Sequence, residues 1–135
     1  MKEITVPAVI ENVAKVTAFV DEFLEANDCP TKAMMQIDIA IDELFSNVAY
    51  YAYNEGNGDI TIKVCILDNP KRVSLSFIDN GKMYNPLKRE DPDTHLSAEE
   101  RGIGGLGIFI VKKSMDNMFY EYKDSQNILT IEKYL

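Results

Sequence analysis

Apolar residues recur along this chain at two different periods, and the longer period marks three helices. From Asn12 to about Ala26 the apolar residues fall three and four positions apart, which predicts an amphipathic helix. A segment from Thr31 to about Tyr53 has the same period and predicts a second, longer helix. A third helix is predicted from about Gly105 to Asn117.

Five other segments have the composition of strands. Glu3–Val6 alternates briefly before a proline and predicts an edge strand. Ile60–Leu67 and Val73–Asp79 are rich in β-branched residues and predict an antiparallel hairpin at the centre of a sheet. Met118–Tyr122 and Ile128–Tyr134 predict a second hairpin across a four-residue turn.

The order of these elements predicts the fold class. Helices and strands are grouped rather than wound as parallel β-α-β units, which favours an α+β fold, a two-layer sandwich with a mostly antiparallel sheet covered on one face by three helices. No linker or internal repeat divides the 135 residues, so we expect a single domain spanning 1–135. Between Asn80 and Gly102 the periodicity stops and prolines and charges enter, which predicts a functional loop or lid.

Charge and cysteine content narrow the possible partners and the compartment. The formal net charge of −8 disfavours direct binding to nucleic acid or to an anionic membrane. Cys29 and Cys65 form no CxxC or Cys/His pattern, so neither a disulfide framework nor a zinc site is expected. We see no targeting signal, and the longest apolar run, Ile108–Val111, is far too short to span a membrane. We therefore expect a cytoplasmic protein.

Two short motifs lie at the ends of predicted elements. Glu43 and Asn47 are four residues apart in the second helix, so a carboxylate and an amide project side by side at the margin of its apolar face. Asp79 ends a strand and is followed by Asn80 and Gly81, where a carboxylate could accept a hydrogen bond from a ligand amino group and a glycine permits close backbone approach. A solvated helix pair and an ordinary turn are the plainer alternatives.

A third motif, the glycine-rich stretch Gly102–Gly107, opens the third predicted helix. Free N–H groups and the positive end of the helix dipole there would suit phosphate oxygens. The stretch matches GxGxxG, but a dinucleotide fold needs a strand directly before it, and Asp93–Arg101 is polar. The signatures of a P-loop and of a eukaryotic-type protein kinase are absent from the sequence. Phosphate binding and a hinge for the preceding loop both remain open.

Together and in this order, the three motifs resemble those of the bacterial anti-sigma-factor serine/threonine kinases. That family belongs to the superfamily of histidine-kinase, gyrase, Hsp90 and MutL ATPase domains, which share the Bergerat-type ATP-binding fold. The matching segments are Asp42–Asn47, Asp79–Gly81 with Asn85-Pro86 behind it, and Gly104–Val111 with Met115-Asp116. The last two predicted strands fit the same family, so the resemblance spans essentially the whole chain.

The resemblance implies a site for ATP and Mg²⁺ beneath an ATP lid at about 80–103. It implies that Glu43 is the catalytic base and that Asn47 coordinates Mg²⁺. It also implies that Asp79 holds the adenine amino group and that Gly81 lies beneath the ring. The other ATP-binding positions that it implies are Arg101, Gly102, Gly104, Gly105, Leu106 and Gly107, with the glycines lining the phosphates and Arg101 reaching the γ-phosphate.

The implied activity is phosphorylation of a serine in an anti-sigma-factor antagonist, and the implied second partner is a sigma factor, which makes the protein a transcription regulator. A homodimer is also implied. One alternative is a nucleotide-dependent protein-binding switch without phosphotransfer, because sensing ATP does not need a base. A lower-ranked alternative is a histidine-kinase-like catalytic domain acting in trans. Lys82 and the two residues after it lack the second glycine of the histidine-kinase pattern, and the one histidine, His95, is expected to be solvated in the lid.

Overall fold

The computed structural model describes residues 1–53, 58–88 and 105–135, and these form the predicted two-layer α+β fold. The strands are β1 (Lys2–Pro7), β2 (Asp59–Leu67), β3 (Arg72–Asp79), β4 (Asn117–Lys123) and β5 (Gln126–Tyr134). The helices are α1 (Val13–Ala26), α2 (Thr31–Tyr51) and α3 (Gly105–Ser114), with short 3₁₀ turns at Ile10–Asn12 and Pro86–Lys88. The strands form one antiparallel sheet in the order β1-β2-β3-β5-β4.

Alternation along the strands gives the sheet one apolar and one polar face. Every second residue of β3, from Val73 to Asp79, is buried. On the opposite face, hydroxyl groups pair across strands, Thr5 with Thr61 and Ser76 with Thr130, each at 2.8 Å between oxygens. The sheet therefore packs its apolar face against the helices and turns its polar face away from them.

The core lies between that apolar face and the helices, with α2 packed between α1 and α3. The largest fully buried side chains come from both layers, and they include Leu24, Ile37, Ile41, Leu44, Phe45, Ile60, Ile62, Leu75, Phe77 and Ile131. The predicted apolar face of the second helix is thus confirmed, because Ile37, Ile41, Leu44 and Phe45 are buried in the core.

Two predicted helix ends are wrong by two or three residues. The third helix ends at Ser114 rather than Asn117, because Asn117 pairs with Glu132 in the sheet. The backbone N–H of Asp116 also donates to the Glu132 carbonyl, at 2.9 Å. The second helix ends at Tyr51 rather than Tyr53. For the third helix, a long-range contact to the sheet thus ends a helix that the local apolar period would extend.

The second predicted hairpin is confirmed, and its turn sets the register of β5. Asp124 and Ser125 have φ angles of 53° and 60°, as in the two-residue turns that match the twist of antiparallel strands. In the resulting register Asn127 of β5 lies directly opposite Asp79 of β3. The end of β3 therefore has an amide beside its carboxylate.

Several expected absences can be checked only over the described residues. None of their helices is long and apolar enough to cross a membrane. Cys29 and Cys65 are both free thiols, so the chain has no disulfide. Among the same residues, no group of three or more His, Cys, Asp or Glu side chains could hold a metal ion.

Candidate functional site

A cleft opens where the C-terminal half of α2 meets the ends of β3 and β5. Its apolar lining consists of Leu44, Val48, Ala52, Phe77, Pro86 and Leu129. Its polar and aromatic lining consists of Asn47, Asp79, Lys82, Asn127, Tyr51, Tyr84 and Tyr120. Apolar walls with a few placed polar groups are typical of a small-molecule site.

Asp79 is the buried carboxylate of this cleft, with only 5% of its surface exposed. Its Oδ1 accepts hydrogen bonds from the backbone N–H of Gly81, at 2.8 Å, and from Nδ2 of Asn127, at 3.0 Å. No described residue donates to Oδ2. The carboxylate therefore has one oxygen held by the protein and a second that can accept a hydrogen bond from a ligand amino group.

Gly81 allows a close backbone approach, and the backbone that approaches is the end of α2. A Cβ at this position would overlap the carbonyl group of Ala52. The N–H of Lys82 donates to the same carbonyl oxygen at 3.0 Å. Gly81 is therefore needed where the strand end packs on the helix end, whereas its predicted place beneath an adenine ring stays a prediction.

Asn127 connects the carboxylate to the chain that leaves β3, and it is 6% exposed. Its side chain makes five hydrogen bonds to the surrounding residues. Nδ2 donates to Asp79 Oδ1 at 3.0 Å and to the Lys82 carbonyl at 2.8 Å, and the Gly81 carbonyl at 3.4 Å shares one of these two protons. Oδ1 accepts from the Tyr84 N–H at 3.1 Å and from the Tyr120 hydroxyl at 2.5 Å. The amide thus satisfies a buried polar cluster at the end of the sheet.

The sequence reasoning missed Asn127, although the chain contains a signal for it. In β5 the buried, inward-facing series is Asn127, Leu129 and Ile131, so an amide stands where the alternation calls for an apolar residue. Its partner could not be predicted, because the partner depends on the strand register. The three tyrosines of the cleft were also missed, since an isolated tyrosine carries no positional signal.

Tyr53 and Tyr120 are two half-buried tyrosines near Asp79 whose hydroxyl groups donate hydrogen bonds. Burial, reinforced by the negative charge of Asp79, raises the pKa of Tyr120. Burial also raises the pKa of Tyr53, against the opposing effect of the hydrogen bond from the Asn80 N–H. The Tyr53 hydroxyl donates to the Asp59 carbonyl at 2.6 Å and accepts from Asn80 at 2.9 Å. A raised pKa keeps both hydroxyl groups protonated, and able to donate, to a higher pH than an ordinary tyrosine.

Glu43 and Asn47 lie one turn apart on α2, and both are half-buried. Asn47 lines the cleft that contains Asp79. Gly107 of α3 is buried against Glu43, and a Cβ at Gly107 would overlap the Glu43 carboxylate. The structure therefore brings the first motif beside the second at Asn47 and beside the third at Glu43.

Part of the predicted phosphate site lies outside the described residues. These positions are Arg101, Gly102 and Gly104, and the predicted lid from residue 89 onward, with His95, also lies outside the described residues. Gly105 and Leu106 form the start of α3. The assignment of the glycine-rich stretch to phosphates therefore stays a prediction.

The described residues fit the predicted ligands. A buried carboxylate among apolar walls suits a base that carries an amino group. For Mg²⁺ the amide oxygen of Asn47 is an appropriate hard ligand. Because the described residues contain no group of three or more candidate metal ligands, Mg²⁺ would take most of its coordination from phosphate oxygens and water.

A comparison with models of known protein families identifies the family of this chain. A family model described as the histidine kinase-like ATPase domain matches residues 6–133. The chain belongs to the histidine kinase-like ATPase domain family. The match contains all three motifs and all the cleft residues named above.

Curated proteins that are similar in sequence to this chain are named as protein kinases. Serine/threonine-protein kinase BtrW of Bordetella bronchiseptica is 26% identical over 95 residues, which cover 70% of this chain and 66% of that protein. Serine-protein kinase RsbW of Listeria monocytogenes is 28% identical over 109 residues, covering 77% and 68%. RsbW of Bacillus cereus is 30% identical over 101 residues, covering 72% and 61%. The matches thus span about two thirds of these relatives' lengths. The names of the relatives confirm the predicted resemblance to anti-sigma-factor kinases and the predicted enzyme class, a serine/threonine protein kinase.

Solved structures of low sequence identity share the fold of this ATPase family. A chain of the SiaB–SiaC complex from Pseudomonas aeruginosa has a TM-score of 0.63 at 12% identity, covering 100% of this chain and 90% of that chain. The catalytic domain of histidine kinase ThkA has a TM-score of 0.51 at 16% identity, covering 99% and 97%. These likenesses concern the fold alone, and they confirm the predicted fold class.

Proposed function

We propose that this chain is an ATP- and Mg²⁺-dependent serine kinase that phosphorylates an anti-sigma-factor antagonist and, in another complex, binds a sigma factor. The observation that supports this most is the convergence of the three motifs, with Asn47 and Asp79 in one cleft and Gly107 against Glu43. The names of the kinase relatives support the same activity. The proposed setting is the cytoplasm, and the proposed unit is one ATP-binding domain with a lid at about 80–103.

Nucleotide binding is the first part of the proposal. Asp79 accepts a hydrogen bond from the adenine amino group through Oδ2, and Asn47 contributes an oxygen ligand to Mg²⁺. The N-terminal end of α3, with the glycine-rich stretch before it, binds the phosphates. When bound, ATP supplies the phosphoryl group and Mg²⁺ offsets the charge on its phosphates.

Glu43 has the role of general base in the proposed transfer. Its carboxylate accepts the proton of the incoming serine hydroxyl, which makes that oxygen a better nucleophile. The contact with Gly107 restricts where the carboxylate can lie. Positioning of this kind supplies much of the rate in phosphoryl transfer, so the helix–helix contact is part of the proposed catalytic arrangement.

The test compares the wild type with Glu43→Gln, using radiolabelled ATP and candidate antagonist proteins from the same genome. We expect Glu43→Gln to lower the transfer rate by about 10²- to 10⁴-fold, because it removes the proton acceptor, while ATP affinity by calorimetry stays close to that of the wild type. Asp42→Asn, at the exposed neighbouring position of the same helix, is the matched control and should transfer at the wild-type rate. A wild-type rate in Glu43→Gln would show that the base is assigned wrongly.

A second function, a nucleotide-dependent protein-binding switch without phosphotransfer, has one observation in its favour. Asn47 and Asp79 line the cleft, whereas Glu43 is not part of its lining. ATP binding by the wild type with no transfer to any antagonist would support this switch. The same assay separates the histidine-kinase-like alternative, because phosphohistidine is labile in acid and phosphoserine is stable. We also propose that the protein is a homodimer, whether it is a kinase or a switch. Its molecular mass in solution tests this.

A further inference from the structure

We propose that Asn127 is a positioning residue that sets the base selectivity of the cleft. It does so by holding the Asp79 carboxylate and by fastening the chain at 81–84, which leaves β3. The inference rests on the proposed function, because it requires an adenine nucleotide with its amino group at Asp79. It deepens that function by naming the side chain that orients the recognition group.

The chemistry of an amide matches the surroundings of Asn127 on both sides. The Lys82 carbonyl can only accept a hydrogen bond and the Tyr84 N–H can only donate one, so these backbone groups fix which end of the amide is Nδ2. With that orientation, an N–H of Nδ2 also points at Oδ1 of Asp79. A leucine of similar shape has no N–H to give Asp79, and an alanine reaches neither side.

The hydrogen bond from Asn127 leaves Asp79 with a defined free oxygen. Oδ1 takes two donors, Gly81 N–H and Asn127 Nδ2, at 2.8 and 3.0 Å. Two donors on one oxygen restrict rotation of the carboxylate, and Asp79 is one of the residues that line the cleft. Without Asn127, the carboxylate keeps only the Gly81 donor and can turn away from a ligand amino group.

The same amide also supports one wall of the cleft. Lys82 and Tyr84 line the cleft, and Asn127 binds the carbonyl of the former and the N–H of the latter. The Tyr120 hydroxyl, which donates to Asn127, belongs to a third lining residue. Base recognition and the position of this wall therefore depend on one side chain.

The test measures affinity for ATP and for purine riboside triphosphate, which lacks the 6-amino group. We expect the wild type to prefer ATP by about 10- to 100-fold, the value of one hydrogen bond to a charged acceptor. In Asn127→Ala the preference should fall to about threefold or less, because Asp79 is no longer oriented for the amino group. If Asn127 only stabilised the fold, replacing it would weaken the binding of both nucleotides by the same factor and leave the preference for ATP unchanged.

Two further variants keep the test decisive. Asn127→Leu roughly preserves the shape but offers Asp79 no donor, so it should also lose the preference, and it replaces the alanine variant if that variant does not fold. Thr130→Val removes a hydrogen bond from the polar face of the same strand, to Ser76, and should keep the wild-type preference. Folding of each variant is checked by its thermal unfolding midpoint.

The outcomes separate this inference from the proposed function. If the wild type binds no ATP, the proposed function is wrong and the inference is overturned with it. If the wild type binds ATP and purine riboside triphosphate equally, ATP binding stands but recognition of the amino group is overturned. If the wild type prefers ATP and both Asn127 variants keep that preference, only the role of Asn127 is overturned.

Discussion

Gly107 shows at the scale of one residue how a missing side chain can place a functional group. It packs on Glu43 so closely that a Cβ would overlap the carboxylate. The atom that would be displaced is the far end of a flexible side chain, so an added methyl group can be accommodated by movement of Glu43. The glycine therefore matters for where the carboxylate lies more than for whether the helices pack.

The variant Gly107→Ala tests this placement. Displacing the carboxylate by about an ångström should lower the rate of serine phosphorylation by about 10²-fold. The thermal midpoint should not fall much, because alanine favours the helix over glycine. In the Glu43→Gln background the same substitution should cost little further activity, since the base is already absent. Equal losses in the two backgrounds would show that Gly107 acts independently of Glu43.

The contact between α1 and α2 contains an acidic pair that works against stability at neutral pH. Asp21 of α1 and Asp38 of α2 each have a buried Oδ1 with no hydrogen-bond partner among the described residues. Burial, the hydrogen bond with Asp21 and the Asp21 charge raise the pKa of Asp38 to about 7. Burial, with the charges of Asp38 and Asp21, also raises the pKa of the nearby Cys29 thiol. The thiol therefore stays neutral and adds no third negative charge beside the pair.

The variant Asp38→Asn should stabilise the protein at neutral pH. The raised pKa means that the folded state holds the Asp38 proton more tightly than the unfolded state, whose pKa is near 3.8. Stability is therefore lost as the pH rises from about 4 through about 7. An asparagine does not titrate, so it removes that loss. Because the site is partly solvated, we expect the variant to raise the free energy of unfolding by only about 1 kcal/mol at pH 8, and by little at pH 4.5. Urea unfolding at the two pH values measures it, with Asp42→Asn on the exposed side of α2 as control. A gain that is the same at both pH values would rule out titration of Asp38 as its cause.

At the scale of the whole molecule, stability comes from apolar burial between one face of the sheet and the three helices. Phe45 of α2 is 0% exposed at the centre of this layer, whereas Phe119 of the edge strand β4 is 54% exposed. The two residues have the same side chain and very different surroundings. They therefore separate the contribution of the core from that of the aromatic ring itself.

Truncation of these two rings should have unequal effects. Phe45→Ala removes a buried ring and leaves a cavity, so it should lower the free energy of unfolding by about 3–5 kcal/mol. Phe119→Ala should change it by about 0.5 kcal/mol or less. Denaturant unfolding of both variants measures the difference. A large loss in Phe119→Ala would mean that the exposed edge is covered in solution, which the solution mass would then show.

Much of the fold and of the site could be predicted because the signals are local. The β-branched runs, the apolar periods and the turn residues each depend on a few neighbours in the chain, and they placed every strand and helix of the described structure to within about three residues. Glu43 and Asn47 were paired by helix geometry alone, and Asp79 by its place at a strand end. The apolar period wrongly extended the third helix to Asn117, because that residue pairs with Glu132 in the sheet instead.

By itself, then, the sequence determined the element order, the fold class and the three motifs, because each follows from contacts over a few residues. Only the tertiary structure decided that Asn127 stands opposite Asp79, that Gly81 packs on the end of α2 and that Gly107 packs on Glu43. These pairings join residues 29 to 64 positions apart in the numbering. They depend on strand register and on how the helices seat on the sheet, and both are set by the packing of the whole core.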